Sequence, residues 1–154
     1  GMSSRLHEEI REKRGLVYDI YTSVQSFSDS GNFIVGGGTG KKEIKELLPV
    51  LCNELVNAPK NLTEKEIEKS KKQLKTNTLM GLESTFANAN INANQLFRHG
   101  KLIEVEETIK KIDNVTKSSI EIIAKRLLLS KPTISAIGPI QELESLDKIQ
   151  NRLN

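Results

Sequence analysis

A chain of 154 residues with 36% hydrophobic and only 4% aromatic side chains has the size of one domain, its core filled by Leu, Ile, Val and Ala. Its 23 basic and 20 acidic residues leave a net charge of +3, too even a balance for a nucleic-acid surface, which needs basic residues gathered on one face. No apolar run is long enough to cross a membrane, the first residues carry no signal-peptide pattern, and the single cysteine, Cys52, excludes an internal disulfide and favours a reducing compartment.

Residues 3–14 predict a short helix. Leu6 and Ile10 stand four apart on one face, while Arg5, Glu8, Glu9, Glu12 and Lys13 occupy the others. Lys13 and Arg14 fall in the last turn, where cations meet the negative end of the helix dipole, and Gly15 supplies the left-handed cap. Residues 16–27, rich in β-branched and aromatic side chains, predict a strand with Leu16, Tyr18, Ile20, Thr22 and Val24 on its apolar face. A turn over 28–31 returns the chain as a second strand over 32–38, so 16–38 forms an antiparallel hairpin. Arg11 and Tyr18 therefore flank one tight corner, a guanidinium on the helix and a phenol on the strand.

The glycine-rich stretch 36–42 follows a strand and opens a helix, the setting in which backbone amides cradle phosphate. Its spacing fits neither phosphate fingerprint. A P-loop needs glycine at 35 and Ser or Thr at 42, where Val35 and Lys42 stand; Lys41 takes the place of the third glycine of the dinucleotide pattern. The stretch reads as a strand-to-helix connection. Residues 42–56 predict a helix on Ile44, Leu47, Leu48, Leu51 and Leu55, with Pro49 predicting a kink or an early break. Cys52, beside that stripe, reads as a buried inert thiol, since no His, Lys or Arg stands near in sequence to hold a thiolate.

Thr63 and Glu66 make a capping box that opens a long helix, ended by Arg98, His99 and Gly100. Its apolar stripe is Ile67, Leu74, Leu82, Phe86, Ala89, Ala93 and Leu96, and Gly81 with the Asn-rich 88–94 marks a bend. Lys69, Lys71, Lys72 and Lys75 lie among glutamates and read as a solvated face. Two helices follow over 104–112 and 116–128, the second capped by Thr116; then a short strand over 132–137, with Pro132 at its start, and a last helix over 140–153. The Asn-x-Thr sequons at Asn61 and Asn114 sit at helix starts, where capping explains them. These elements make an α+β fold, an antiparallel sheet of hairpin 16–38 plus strand 132–137 covered by helices, in a single domain over 1–154.

On the residues alone, Tyr18 reads as a core tyrosine beside Leu16 and Ile20, and Arg11 as a solvated helix charge. His7, Glu8, Glu9 and Arg11 imitate a helical metal motif only superficially, because arginine stands where the second ligand would fall, and His99 belongs to a helix end. A helical interaction module with a small sheet remains open here; a buried Tyr18 and an Arg11 pointing to bulk solvent would favour it.

Ser3-Ser-Arg-Leu, the run from Glu9 through Arg11, Glu12, Lys13, Arg14, Gly15 and Leu16 to Tyr18, Asp29-Ser-Gly31 with Phe33, Leu82-Glu-Ser84 and Ala136-Ile-Gly-Pro139 occur in the order expected of one family. Over nearly its whole length the chain resembles the C-terminal half of the pitrilysin/insulinase zinc peptidases, which include the mitochondrial processing peptidases. Two features depart from that family: the zinc motif H-x-x-E-H is absent, and His7 takes a place where members commonly carry an apolar or aromatic side chain.

The resemblance implies a substrate-binding C-terminal domain of a zinc metalloendopeptidase, closing on an N-terminal zinc-binding half around an extended peptide. Zn2+ then belongs to the parent protein, and this chain alone binds none and hydrolyses nothing. The resemblance also reverses the reading of two residues: in the family an arginine followed seven residues later by a tyrosine reaches the zinc site across the chamber, and Arg11 and Tyr18 match that spacing. It implies that the family domain's first strand and helix precede Gly1, which reads either as a cloning remnant or as the last of the glycines that often lie before Met-Ser-Ser-Arg-Leu. The exposed sheet edge and apolar surface then favour self-association, as in a dimer built by β-augmentation. The alternative is a non-catalytic substrate-recognition or structural subunit of the same family. The cytoplasm is the favoured compartment, with the periplasm and the mitochondrial matrix as alternatives.

Overall fold

The computed structural model describes residues 4–154, and the expectations for Gly1 and Ser3 lie outside them. A π-helical turn, His7–Glu12, leads to strands β1 (Asp19–Ser26) and β2 (Gly31–Gly38). Helices α1 (Ile44–Asn57), α2 (Glu64–Glu83), α3 (Thr85–His99), α4 (Val105–Asp113), α5 (Lys117–Leu128) and α6 (Leu146–Leu153) follow. The fold is α+β, and the described residues form a 2-stranded antiparallel sheet. Two compact units divide it: the chain up to Asn61 together with Glu121–Asn154, and Leu62–Ile120.

In the first unit the core sits at the corner between the π-helical turn and β1. Ile10 is wholly buried with Leu16 and Val17, and Leu6, Ile20, Leu47, Val50 and Leu51 pack around them. Leu6 and Ile10 reach this core together because residues four apart share a helix face, and burying one such isoleucine is worth about 1.5–3 kcal/mol. α1 brings Leu47, Val50 and Leu51 from one side of its cylinder and runs on through Pro49 rather than breaking there. An interior proline costs about 3 kcal/mol in an isolated helix, and here apolar packing on both sides of it holds the helix. Further along α1, Cys52 is buried, as is Ile149 of α6, the helix that packs against α1.

The hairpin runs in register from Asp19 opposite Gly38 to Ser26 opposite Gly31. Phe27 N–H donates to the Ser30 carbonyl at 2.8 Å to close the turn. The alternating face expected of β1 is buried only where it meets the core: Leu16 is 4% exposed, but Tyr18 and Val24 are 73% and 75% exposed. The third strand expected over 132–137 does not form; among the described residues the sheet is β1 and β2 alone. A strand exists only through a neighbour that takes its backbone bonds, Pro132 has no N–H to offer, and Ile137 stands fully exposed. The last helix is also shorter than 140–153. Ile140 and Leu143 N–H groups donate to Gly138 and Ile140 in successive turns, and α6 starts only after Ser145.

In the second unit, the Thr63 hydroxyl accepts from Glu66 N–H at 3.3 Å while the Glu66 carboxylate accepts from Thr63 N–H at 2.9 Å, completing the expected capping box. The long helix expected to follow is two helices. The break is at Ser84, not at Gly81 or within 88–94: Ser84 leaves helical geometry (φ −86°, ψ 116°) and its hydroxyl accepts from Ala87 N–H at 3.2 Å. Serine offers the backbone this alternative partner, whereas the asparagines of 88–94 stay helical, with Asn94 donating back to the Asn90 carbonyl. α3 ends as expected on Gly100, at φ 67°. Of the expected apolar stripe only Ile67 is buried; Leu74, Phe86 and Leu96 are exposed. Two lysines of the supposed solvated face are in use: Lys71 and Lys75 donate to the carbonyl and carboxylate of Asp113, at 3.0 and 2.7 Å, tying α2 to the end of α4. Thr116 caps α5 through a reciprocal pair with Ser119. In both sequons, therefore, the threonine does the capping.

Candidate functional site

Every local feature of the corner pins the backbone between Arg11 and Tyr18. The π-helical turn closes with Lys13 N–H on the Glu8 carbonyl. Gly15 N–H then bonds the Arg11 carbonyl at 2.9 Å, and Leu16 N–H bonds that of Ile10 at 3.0 Å. Gly15 takes φ +61°, the left-handed geometry that costs an L side chain energy and that the sequence predicts. Lys13 and Arg14 both pair with Glu9, and Arg14 also donates to its carbonyl at 2.6 Å. The Lys13 and Arg14 hydrogen bonds hold the Glu9 carboxyl below the usual range, and Glu9 in turn raises Lys13.

On the strand side, Tyr18 N–H donates to the Gly38 carbonyl at 2.7 Å, Gly38 N–H donates to the Asp19 carboxylate at 3.1 Å, and the Thr39 hydroxyl donates to the Leu16 carbonyl at 2.7 Å. The glycines of β2 serve this close approach rather than an anion. A Cβ on Gly37 would fall 2.5 Å from the Asp19 carbonyl oxygen, and one on Gly36 would meet the Tyr21 ring at the same distance. A Cβ on Gly40 would run into the Glu43 carboxylate and make only an ordinary contact, at 3.7 Å, with the Tyr18 hydroxyl.

Tyr18 is thus a 73%-exposed phenol on an anchored backbone, not a core tyrosine. The interaction-module reading, which a buried Tyr18 together with a solvent-facing Arg11 would favour, loses the first of these supports, although Arg11 is exposed. Arg11 projects from the helix and is held by a neighbour that the sequence marks as a poor metal ligand and a departure from the family: its Nη1 lies 3.0 Å from Nε2 of His7, a histidine 7% exposed. The signal was present in the spacing, since residues four apart on a helix meet, and π-turns gather at functional sites. Both side chains belong to the first unit. Burial pushes the Cys52 thiol up, which disfavours the reactive thiolate.

Residues 1–74 match the family model described as the Peptidase M16 inactive domain. Over 146 residues, 94% of its length, the chain is 34% identical to an uncharacterized zinc protease of Streptomyces coelicolor and covers 32% of it. It is 29% identical to the mitochondrial-processing peptidase subunit alpha of Caenorhabditis elegans over 95% of this chain and 28% of that one. A chain of complex III2 from Candida albicans, Inz-5 bound, shares the fold with a TM-score of 0.85 at 20% identity, over 99% of this chain and 39% of that one. The chain accordingly spans about a third of the length of the curated relatives it matches.

Those relatives include zinc proteases, and the residues described here do not fit a zinc site. Among them no group of three His, Cys, Asp or Glu side chains could hold a metal ion. His7 Nε2 is taken by Arg11, and its Nδ1 is buried 3.7 Å from Glu12. With residues 1–74 matched by the M16 inactive-domain model and almost the whole of this chain aligned with a part of each of those relatives, the chain belongs to the M16, or pitrilysin, family, as its C-terminal domain.

Proposed function

We propose that this chain is the substrate-side half of a zinc-dependent metalloendopeptidase, with Arg11 and Tyr18 facing an extended peptide and the zinc site carried by an N-terminal half. The observation that carries the proposal is Tyr18, a bulky phenol left exposed at a corner whose backbone is bonded on both sides. An exposed aromatic on so anchored a backbone suits binding, because little backbone freedom remains to be lost when a ligand arrives. The phenol and the guanidinium are both donors. Aimed at a peptide carbonyl, they meet the negative charge that its oxygen gains as the carbon becomes tetrahedral, and removing one such donor typically costs about a hundred- to thousand-fold in rate. Backbone hydrogen bonds to an extended peptide tolerate varied sequence. On this reading the chain alone hydrolyses nothing and, with its apolar surface uncovered, self-associates.

The test is a peptidase assay on the full-length protein, with and without a zinc chelator, wild type beside Tyr18→Phe. A chelator-sensitive activity that falls about a hundred-fold in the variant is the expected outcome. Activity indifferent to the substitution would remove Tyr18 from the site. A second reading, a non-catalytic subunit of a paired assembly, is favoured by the description of the matched domain as inactive and by a relative that is itself named as a subunit. Full-length protein without any peptidase activity would select it.

A further inference from the structure

We propose that His7 is a positioning residue for Arg11, a neutral imidazole whose Nε2 lone pair fixes the guanidinium in its substrate-facing pose. The proposal rests on the reading of Arg11 given above. The assignment follows from donor and acceptor counting. A guanidinium has five N–H donors and no acceptor, so at 3.0 Å Arg11 Nη1 must donate and His7 Nε2 must accept. A protonated imidazole would set donor against donor and cation against cation. The single proton of His7 therefore sits on Nδ1. That atom is buried without a hydrogen-bond partner among the described residues, and the Glu12 carboxylate oxygen Oε1 is 3.7 Å away, beyond bonding distance.

An orphaned buried donor is costly, and an apolar or aromatic side chain would fill the same place without that cost. What histidine adds is the acceptor facing Arg11. Its own position is fixed: the ring is buried, its backbone N–H reaches the Ser4 hydroxyl at 3.4 Å, and it shares the π-helical turn with Ile10 of the core. An exposed arginine otherwise samples many rotamers and loses that freedom on binding. Committing one Nη1–H to a buried acceptor removes part of that loss in advance and leaves the other donors for a peptide carbonyl.

The test compares His7→Phe, which keeps a ring of similar volume and loses the acceptor, with His7→Gln, whose amide oxygen restores one. Both are measured in full-length protein beside Arg11→Ala and the double variant His7→Phe/Arg11→Ala. Expected are a roughly tenfold loss of kcat/KM in His7→Phe, substantial recovery in His7→Gln, and a double variant no worse than Arg11→Ala alone. The 15N shifts of the wild-type imidazole should report a proton on Nδ1. A loss in Arg11→Ala with none in His7→Phe, or equal losses in the Phe and Gln variants, overturns the positioning role and leaves the reading of Arg11 standing. Full activity in Arg11→Ala overturns that reading, and the present proposal with it.

Discussion

Arg11 and Tyr18 illustrate how much a single position can be read from sequence. Their spacing and the glycine between them put a guanidinium and a phenol on either side of one corner, and the hydrogen bonds of Gly15, Leu16 and Tyr18 build that corner. Exposure was not legible: the alternation of β1 placed Tyr18 with Leu16, yet one is 73% and the other 4% exposed. Alternation states which residues share a face and says nothing of how far along the strand that face is covered. The glycines of β2 give a prediction at this scale. A methyl on Gly37 meets the Asp19 carbonyl, backbone that cannot retreat without disturbing the ladder, while one on Gly36 meets the tip of a half-exposed Tyr21 ring that can swing aside. Gly37→Ala is expected to destabilise the chain by about 1–3 kcal/mol and Gly36→Ala by clearly less, measured by denaturant unfolding. Equal effects would mean that the ring is as fixed as the strand.

At the scale of elements, caps were the most legible feature and ends without a strong cap the least. Thr63 with Glu66, Thr116, Gly15 and Gly100 all act where the sequence places them, because a cap is a local hydrogen bond or a local dihedral. Ser84 was missed as a cap because it lies inside a continuous apolar period, which by itself predicts one helix. The start of α6 was placed too early, and here a salt bridge accompanies the turn: Arg152 donates through Nε and Nη2 to both oxygens of Glu144, at 2.9 and 2.8 Å. That pairing holds the Glu144 carboxyl below the usual carboxylate range and raises Arg152. A carboxyl whose folded-state value is depressed contributes stability above its unfolded value, near pH 4, and loses it as pH falls through the folded one. Thermal melts from about pH 5 downward should therefore fall less steeply in Arg152→Gln than in wild type, by a modest amount because the pair is only partly shielded from water. An identical acid limb would show that the bridge does not persist in solution.

For the whole molecule, the core is small and the exposed apolar surface is large. Among the described residues seven apolar side chains are buried, while Phe86, Phe97, Ile122, Ile123 and Ile137 stand open to solvent. Exposed apolar side chains in such number and a sheet of only two strands among the described residues both favour association with another chain. Light scattering on the isolated chain is expected to return a mass above 17.2 kDa that rises with concentration. A clean monomer would separate this surface from self-association and leave it to a different partner.

The sequence by itself determined what is local or counted along the chain: the corner from Ile10 to Tyr18, the hairpin, the helix caps, the α+β class and the family motif. Each depends on dihedral preferences or hydrogen bonds reaching only a few residues. Tertiary structure decided the rest. It fixed which apolar positions are covered, left 132–137 without a partner strand, carried α1 through Pro49, pinned Lys71 and Lys75 to Asp113, and turned His7 inward beneath Arg11. Those outcomes depend on what lies across space from a residue, and period and propensity carry no record of that.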